Sequence, residues 1–104
     1  MAQFDVYENP NPASSKNAPF LLDVQTELLD DLATRVVVPL VTSISMPKPG
    51  RHLNPAFKIG ETMFLMSTAE IAGVSVKSLG SKVCSIKEYR NEIVAALDFL
   101  ITGI

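Results

Sequence analysis

Along residues 3–7 (QFDVY), Phe4 and Val6 fall on one face and Gln3, Asp5 and Tyr7 on the other, the period-two alternation of a half-buried strand. Residues 8–19 (ENPNPASSKNAP) are rich in Pro, Asn and Ser and read as a long exposed loop. FLLDVQ (20–25) is a second strand, and TELLDDL (26–32) a helical turn or tight reversal, the Asp30-Asp31 pair favouring a turn. TRVVVPL (34–40) is the clearest strand, with three stiff β-branched valines in a row. Pro39 has no amide to give a ladder, so an edge or a bulge is expected there, with VTSIS (41–45) continuing after a bend.

MPKPGRHLNP (46–55) carries three prolines and a glycine and reads as a second long loop. AFKIG (56–60) and TMFLMS (62–67) form a hairpin reversing at Gly60-Glu61, TAEIAG (68–73) is a turn or short helical piece, and VSVKSLG (74–80) alternates again. One helix is expected to start at Ser85. In SIKE the Ser85 hydroxyl is placed to accept from the Glu88 amide and Glu88 to reach back, a capping box. Ile86, Tyr89, Ile93, Leu97 and Leu100 then recur at spacings of three and four, a stripe that packs on the sheet. Val94 and Ile101 flank that stripe, Asp98 and Thr102 turn toward solvent, and Gly103 breaks the helix and frees Ile104. Short strands with turn-rich joints and no βαβ alternation predict an α+β domain, an antiparallel sheet curled toward a small barrel with one C-terminal helix.

Composition adds limits. The 104 residues make one domain with one modest core. Hydrophobic residues reach 47% and charged ones only 19%, an excess that, with the apolar tail, predicts a homodimer. Nine scattered Lys and Arg and a net charge of −2 disfavour direct tight binding to nucleic acid. The one cysteine, Cys84, suits a reducing cytoplasm and reads as apolar filler at the edge of the core. No signal peptide is recognisable at the start, and no apolar run approaches the roughly 18 residues of a membrane span.

The motifs of catalysis are missing: there is no Gly-rich phosphate loop, nucleophile elbow or metal-ligand spacing. Arg51-His52 reads as a solvated loop pair; its alternative reading is the phosphate ligand and general acid of a ribonuclease. Glu27, Asp30 and Asp31 surround Leu28-Leu29, either a solvated turn with its leucines tucked under or an apolar pair displayed for a partner. Arg35 and Arg90 read as surface or ion-pair residues, and Met63 and Met66 as core or interface packing.

Taken in order, QFDVY, FLLDVQTELLDDLATRVVVPL, LNPAFKIG and RNEIVAALDFLITGI resemble the CcdB-type toxins of toxin–antitoxin systems nearly end to end. The resemblance implies a five-stranded SH3-like barrel with a small extra sheet and a C-terminal helix. It implies a cytoplasmic homodimer that is not an enzyme and needs no cofactor. Such a toxin binds the A subunit of DNA gyrase and traps it on cleaved DNA. A cognate CcdA-like antitoxin neutralises it and, with it, represses their operon. By position, the resemblance assigns gyrase binding to Gln3, Phe4, Tyr7, Thr26, Leu28, Leu29, Asp98, Thr102, Gly103 and Ile104, with Ile101 beside them. Four positions depart from the family pattern: Thr102 replaces a tryptophan, Leu28 and Leu29 replace isoleucines, and Asp98 replaces an asparagine. The competing expectations are an endoribonuclease toxin of the MazF type, which shares the barrel, and an attenuated module that only binds antitoxin.

Overall fold

The stiff valine run forms β3 (Thr34–Val41), the longest strand and the spine of the sheet. The computed structural model describes residues 1–103. The other strands are β1 (Asp5–Glu8), β2 (Phe20–Asp23), β4 (Ala56–Ile59), β5 (Thr62–Met66), β6 (Ala72–Ser75) and β7 (Lys82–Ser85), followed by the helix α1 (Arg90–Thr102). Every pairing is antiparallel. One edge of β3 meets β2; the other meets β6 along Thr34–Val37 and then β5 at Leu40 and Val41. Pro39, with no amide to donate, falls where β3 changes partner. Five strands in the order β6-β3-β2-β1-β7 thus make the curled main sheet, and the end of β3 with β5 and β4 makes the small extra one. With the single helix this is the expected α+β, SH3-like half-barrel.

One face of the main sheet holds the core. Val6, Leu22, Val38 and Leu40 pack with Phe57, Phe64 and Met66, and α1 adds Ile93 and Ala96. The Tyr89 ring lies 5.0 Å from that of Phe57, which seats the start of the helix on the β4–β5 hairpin. Leu97 is half-buried against the same cluster. Ile93→Ala is expected to cost about 2–5 kcal/mol, because the cavity forms in a fully enclosed site. Urea unfolding measures it, and a loss below half a unit would show that the helix face is wrongly placed.

Three local expectations are corrected. The strand expected over 74–80 stops at Ser75, whose hydroxyl accepts from the Lys77 amide (3.2 Å) and caps a 3-10 turn. The capping box at Ser85 does not form. Ser85 ends β7 opposite Asp5, its hydroxyl accepts from the Lys87 amide (3.3 Å), and α1 begins only at Arg90. The first strand begins at Asp5 rather than Gln3, because Phe4 has φ of 72° and breaks the extended path. One other point stands as expected: Gly60, at φ 63°, reverses the β4–β5 hairpin. The continuation expected over 41–45 does not form: β3 ends at Val41 and residues 43–45 make a turn. Among the described residues no helix is long and apolar enough to cross a membrane.

Candidate functional site

The turn between β2 and β3 carries three leucines that the core does not hold. Leu28 is 90% exposed, and Leu29 and Leu32 are each 46% exposed. The tucked-under reading of Leu28 and Leu29 is therefore excluded in the single chain. The turn keeps its shape through polar bonds. The Thr26 hydroxyl accepts from the Leu28 amide (3.3 Å), and a 3-10 turn follows over Glu27–Leu29.

Beneath it lies a charge pair: of the two readings of Arg35, surface or ion-pair, the ion pair holds, but it is buried. Alternation along β2 and β3 puts Asp23, Gln25 and Arg35 on the sheet face opposite the core, and the curl of the sheet buries all three. Arg35 Nε and Nη2 both reach Asp23 Oδ2, at 2.9 and 2.7 Å, and Nη1 donates to Asp30 Oδ1 at 3.2 Å. Burial pushes the Asp23 carboxyl up, while Arg35 and the Gln25 amide pull it back.

The second exposed feature is the end of α1. Ile101 is 76% exposed and Asp98, Thr102 and Gly103 are also at the surface. Gly103 adopts φ of 75° and its amide donates to Phe99 O (3.0 Å), the left-handed cap expected of a helix-ending glycine. The Thr102 hydroxyl donates to Asp98 O at 2.7 Å. No basic residue occupies the last helical turn. His52, expected as a solvated loop residue, is exposed but lies 5.9 Å ring to ring from Phe99, lining a cleft with Ala95 and Gly103. Ile104 lies outside the described residues.

The N-terminal strand places its assigned residues differently. Gln3 is half-buried and its Nε2 donates to Val24 O (3.1 Å). Phe4 is 3% and Tyr7 7% exposed, so neither offers a face to a partner in the single chain. Tyr7 points to the polar side of the sheet, where its hydroxyl donates to Asp5 Oδ2 (3.4 Å). Burial, then the charges of Asp5 and Asp23, raise its pKa from 10.0 to about 12. The folded chain therefore holds this proton more tightly than the unfolded one. The stability that results is full below pH 10 and is lost as pH rises toward about 12. Ultraviolet titration of tyrosinate, with Tyr7→Phe as control, is expected to show this; ionisation of Tyr7 near pH 10 in the folded chain would refute it.

The assigned residues do not form one patch. Gln3 and Glu27 line a cleft with Lys87 and Arg90 at the start of α1, so the leucine turn sits by that end. Asp98–Gly103 sit at the other end, and at 1.5 Å per residue Thr102 is roughly 18 Å from Arg90. Lys82 lines the first cleft too, and its Nζ lies 3.4 Å from Asp5 Oδ1. Cys84 packs against the core as expected, and burial pushes its thiol up, away from the reactive thiolate. Met66 is core, whereas Met63 is exposed. The Asp23–Gln25–Arg35 set had one readable signal: polar residues two apart within otherwise apolar strand sequence, which need partners if buried.

Two solved structures share the architecture. One is described as an endoribonuclease in complex with its cognate antitoxin from Mycobacterial species. It has a TM-score of 0.74 at 18% identity, over 94% of this chain and 91% of that one. The other, an endoribonuclease from Mycobacterial species, has a TM-score of 0.73 at 17% identity, over 94% and 88%. At such identity the likeness speaks for the fold alone. The chain itself belongs to the CcdB protein family, whose profile matches residues 3–103, and is thus the toxin half of a toxin–antitoxin pair.

Proposed function

We propose that this chain works in the cytoplasm as a homodimer that binds the A subunit of DNA gyrase and traps the enzyme on cleaved DNA. A cognate CcdA-like antitoxin neutralises it and, in complex with it, represses their operon. The toxin acts by binding and not by catalysis. The observation that carries this reading is the pair of bare apolar features, Leu28 at 90% and Ile101 at 76% exposure, which the core of the single chain does not take up. Covering them yields roughly 25 cal/mol per Å² of apolar surface. The carbonyl end of α1, with no basic residue in its last turn, favours an arginine or lysine on the partner. Because the two features lie at opposite ends of α1, a second protomer supplies the neighbouring half of the surface. Thr102, in place of the family's tryptophan, offers less contact area, so binding weaker than the family pattern allows is expected.

A ribonuclease needs an acid or base and cationic phosphate ligands around one point. Here His52 lines the cleft at the end of α1, while Lys82, Lys87 and Arg90 border the cleft at its start. The endoribonuclease alternative thus has His52 and its sequence neighbour Arg51 at one end of α1, and Lys82, Lys87 and Arg90 at the other. Leu28→Asp tests the binding reading. Calorimetry with purified gyrase A subunit is expected to show affinity lowered at least about tenfold with the melting temperature unchanged, since surface changes rarely disturb stability by more than about 0.5 kcal/mol. Unaltered affinity would remove Leu28 from the contact, and an attenuated module would bind antitoxin but no gyrase.

A further inference from the structure

The 3-10 turn Glu27–Leu29 has no buried residue of its own, and besides its internal cap and turn bonds it is tied to the rest of the fold by side chains from below. Two buried side chains reach into it. Gln25, 7% exposed, donates from Nε2 to Leu29 O (3.1 Å), while its Oε1 accepts from the Val36 amide (2.9 Å). It therefore ties the turn to β3. Arg35, fully buried, donates from Nη1 to Asp30 Oδ1 (3.2 Å) and from Nη2 to the Gln25 carbonyl (3.4 Å), while Asp23 holds the guanidinium from behind. Asp23 Oδ1 also accepts from the Gln25 amide (3.0 Å). No buried side-chain polar atom among the described residues is left without a partner.

A buried ion pair is a poor device for stability alone, since well-packed apolar residues of the same size commonly serve a fold as well or better. What apolar residues cannot do is fix the Leu29 carbonyl and the Asp30 carboxylate. We infer that Gln25 and Arg35 are positioning residues, which pre-shape the Leu28–Leu29 turn for its partner and so remove the ordering that binding would otherwise require. This rests on the gyrase reading for the partner, but the positioning itself can be read without one. Pre-shaping of a loop raises affinity by lowering the entropy lost on binding.

Gln25→Glu keeps an oxygen for the Val36 amide and, while ionised, loses the donor to Leu29 O, at the cost of a buried charge. Gln25→Met, close in size, loses both bonds. In the full chain, amide hydrogen exchange at Leu29, Asp30 and Leu32 is expected to quicken at least about tenfold in both variants, while exchange in β2, β3 and α1 stays within about threefold. Affinity for purified gyrase A subunit is expected to fall at least about tenfold, although no substituted side chain is more than 7% exposed in the parent chain. As an independent variant, Arg35→Met with Asp23→Leu fills the same space with apolar side chains and is expected to give the same local loosening without unfolding. Unchanged exchange at the turn overturns the inference, and so does faster exchange with undiminished gyrase binding. Should the parent chain itself not bind gyrase, the gyrase reading fails, and the exchange data alone then decide the positioning role.

Discussion

Removal of residues 102–104 is expected to abolish gyrase poisoning while leaving a folded chain. Thr102 and Gly103 are exposed, and neither belongs to the cluster that joins α1 to the sheet. The bond from Thr102 Oγ1 to Asp98 O and that from Gly103 N to Phe99 O close the last turn of the helix. Losing a capping bond of this kind costs about 1 kcal/mol. A hot-spot cluster at the centre of an interface is worth about 2–4 kcal/mol or more, which is a roughly 30- to 1,000-fold loss of affinity. Toxicity on induced expression should vanish, while circular dichroism and co-purification with the antitoxin persist. A truncated chain that fails to fold, or one that still poisons, contradicts the assignment of the helix tip.

The opposite profile is expected of Arg35→Ala. Here the lesion is in stability. The substitution strands the Asp23 carboxylate, which is fully buried and then keeps only the Gln25 amide. Stripping one member from a buried ion pair typically costs 3–5 kcal/mol, about 3–5 here. At about 4–8 °C per kcal/mol for a chain of this size, the melting temperature should fall by about 12–40 °C. The turn that displays Leu28 and Leu29 loses its support in the same step, so binding suffers in whatever fraction remains folded. A loss under about 1 kcal/mol would mean that water reaches Asp23 and that the pair is not the closed unit described above.

The features legible in the sequence were those decided by local chemistry. The valine run could only be a strand, Gly60 and Gly103 stand where positive φ is required, and the stripe through Ile93 and Leu97 could only face the sheet. Display of Leu28 was one of two open readings, and Ile101 stood only at the flank of the buried stripe, so their exposure was decided by the fold. The start of α1 was not legible. Ser85 carries a good local cap signal, but its pairing with Asp5, some 80 positions earlier in the chain, holds it in β7. For the same reason β7 was missed: a four-residue edge strand with a register shift against β1 carries almost no periodic signal. The burial of Tyr7 and Arg35 escaped too. Strand alternation places them away from the core, and only the curl of the sheet makes that second face an interior, with Asp5, Asp23 and Gln25 as its polar filling.

The central claim, that this chain poisons gyrase by holding its A subunit on broken DNA, is tested most directly by adding the purified toxin to purified gyrase, ATP and supercoiled plasmid and denaturing the mixture with detergent and protease. Accumulation of linear DNA that needs gyrase, ATP and the intact residues 102–104 is the predicted result. Plasmid that stays uncut at toxin concentrations in excess of gyrase, with fragments appearing instead when the same protein meets single-stranded RNA, is the result that would contradict it.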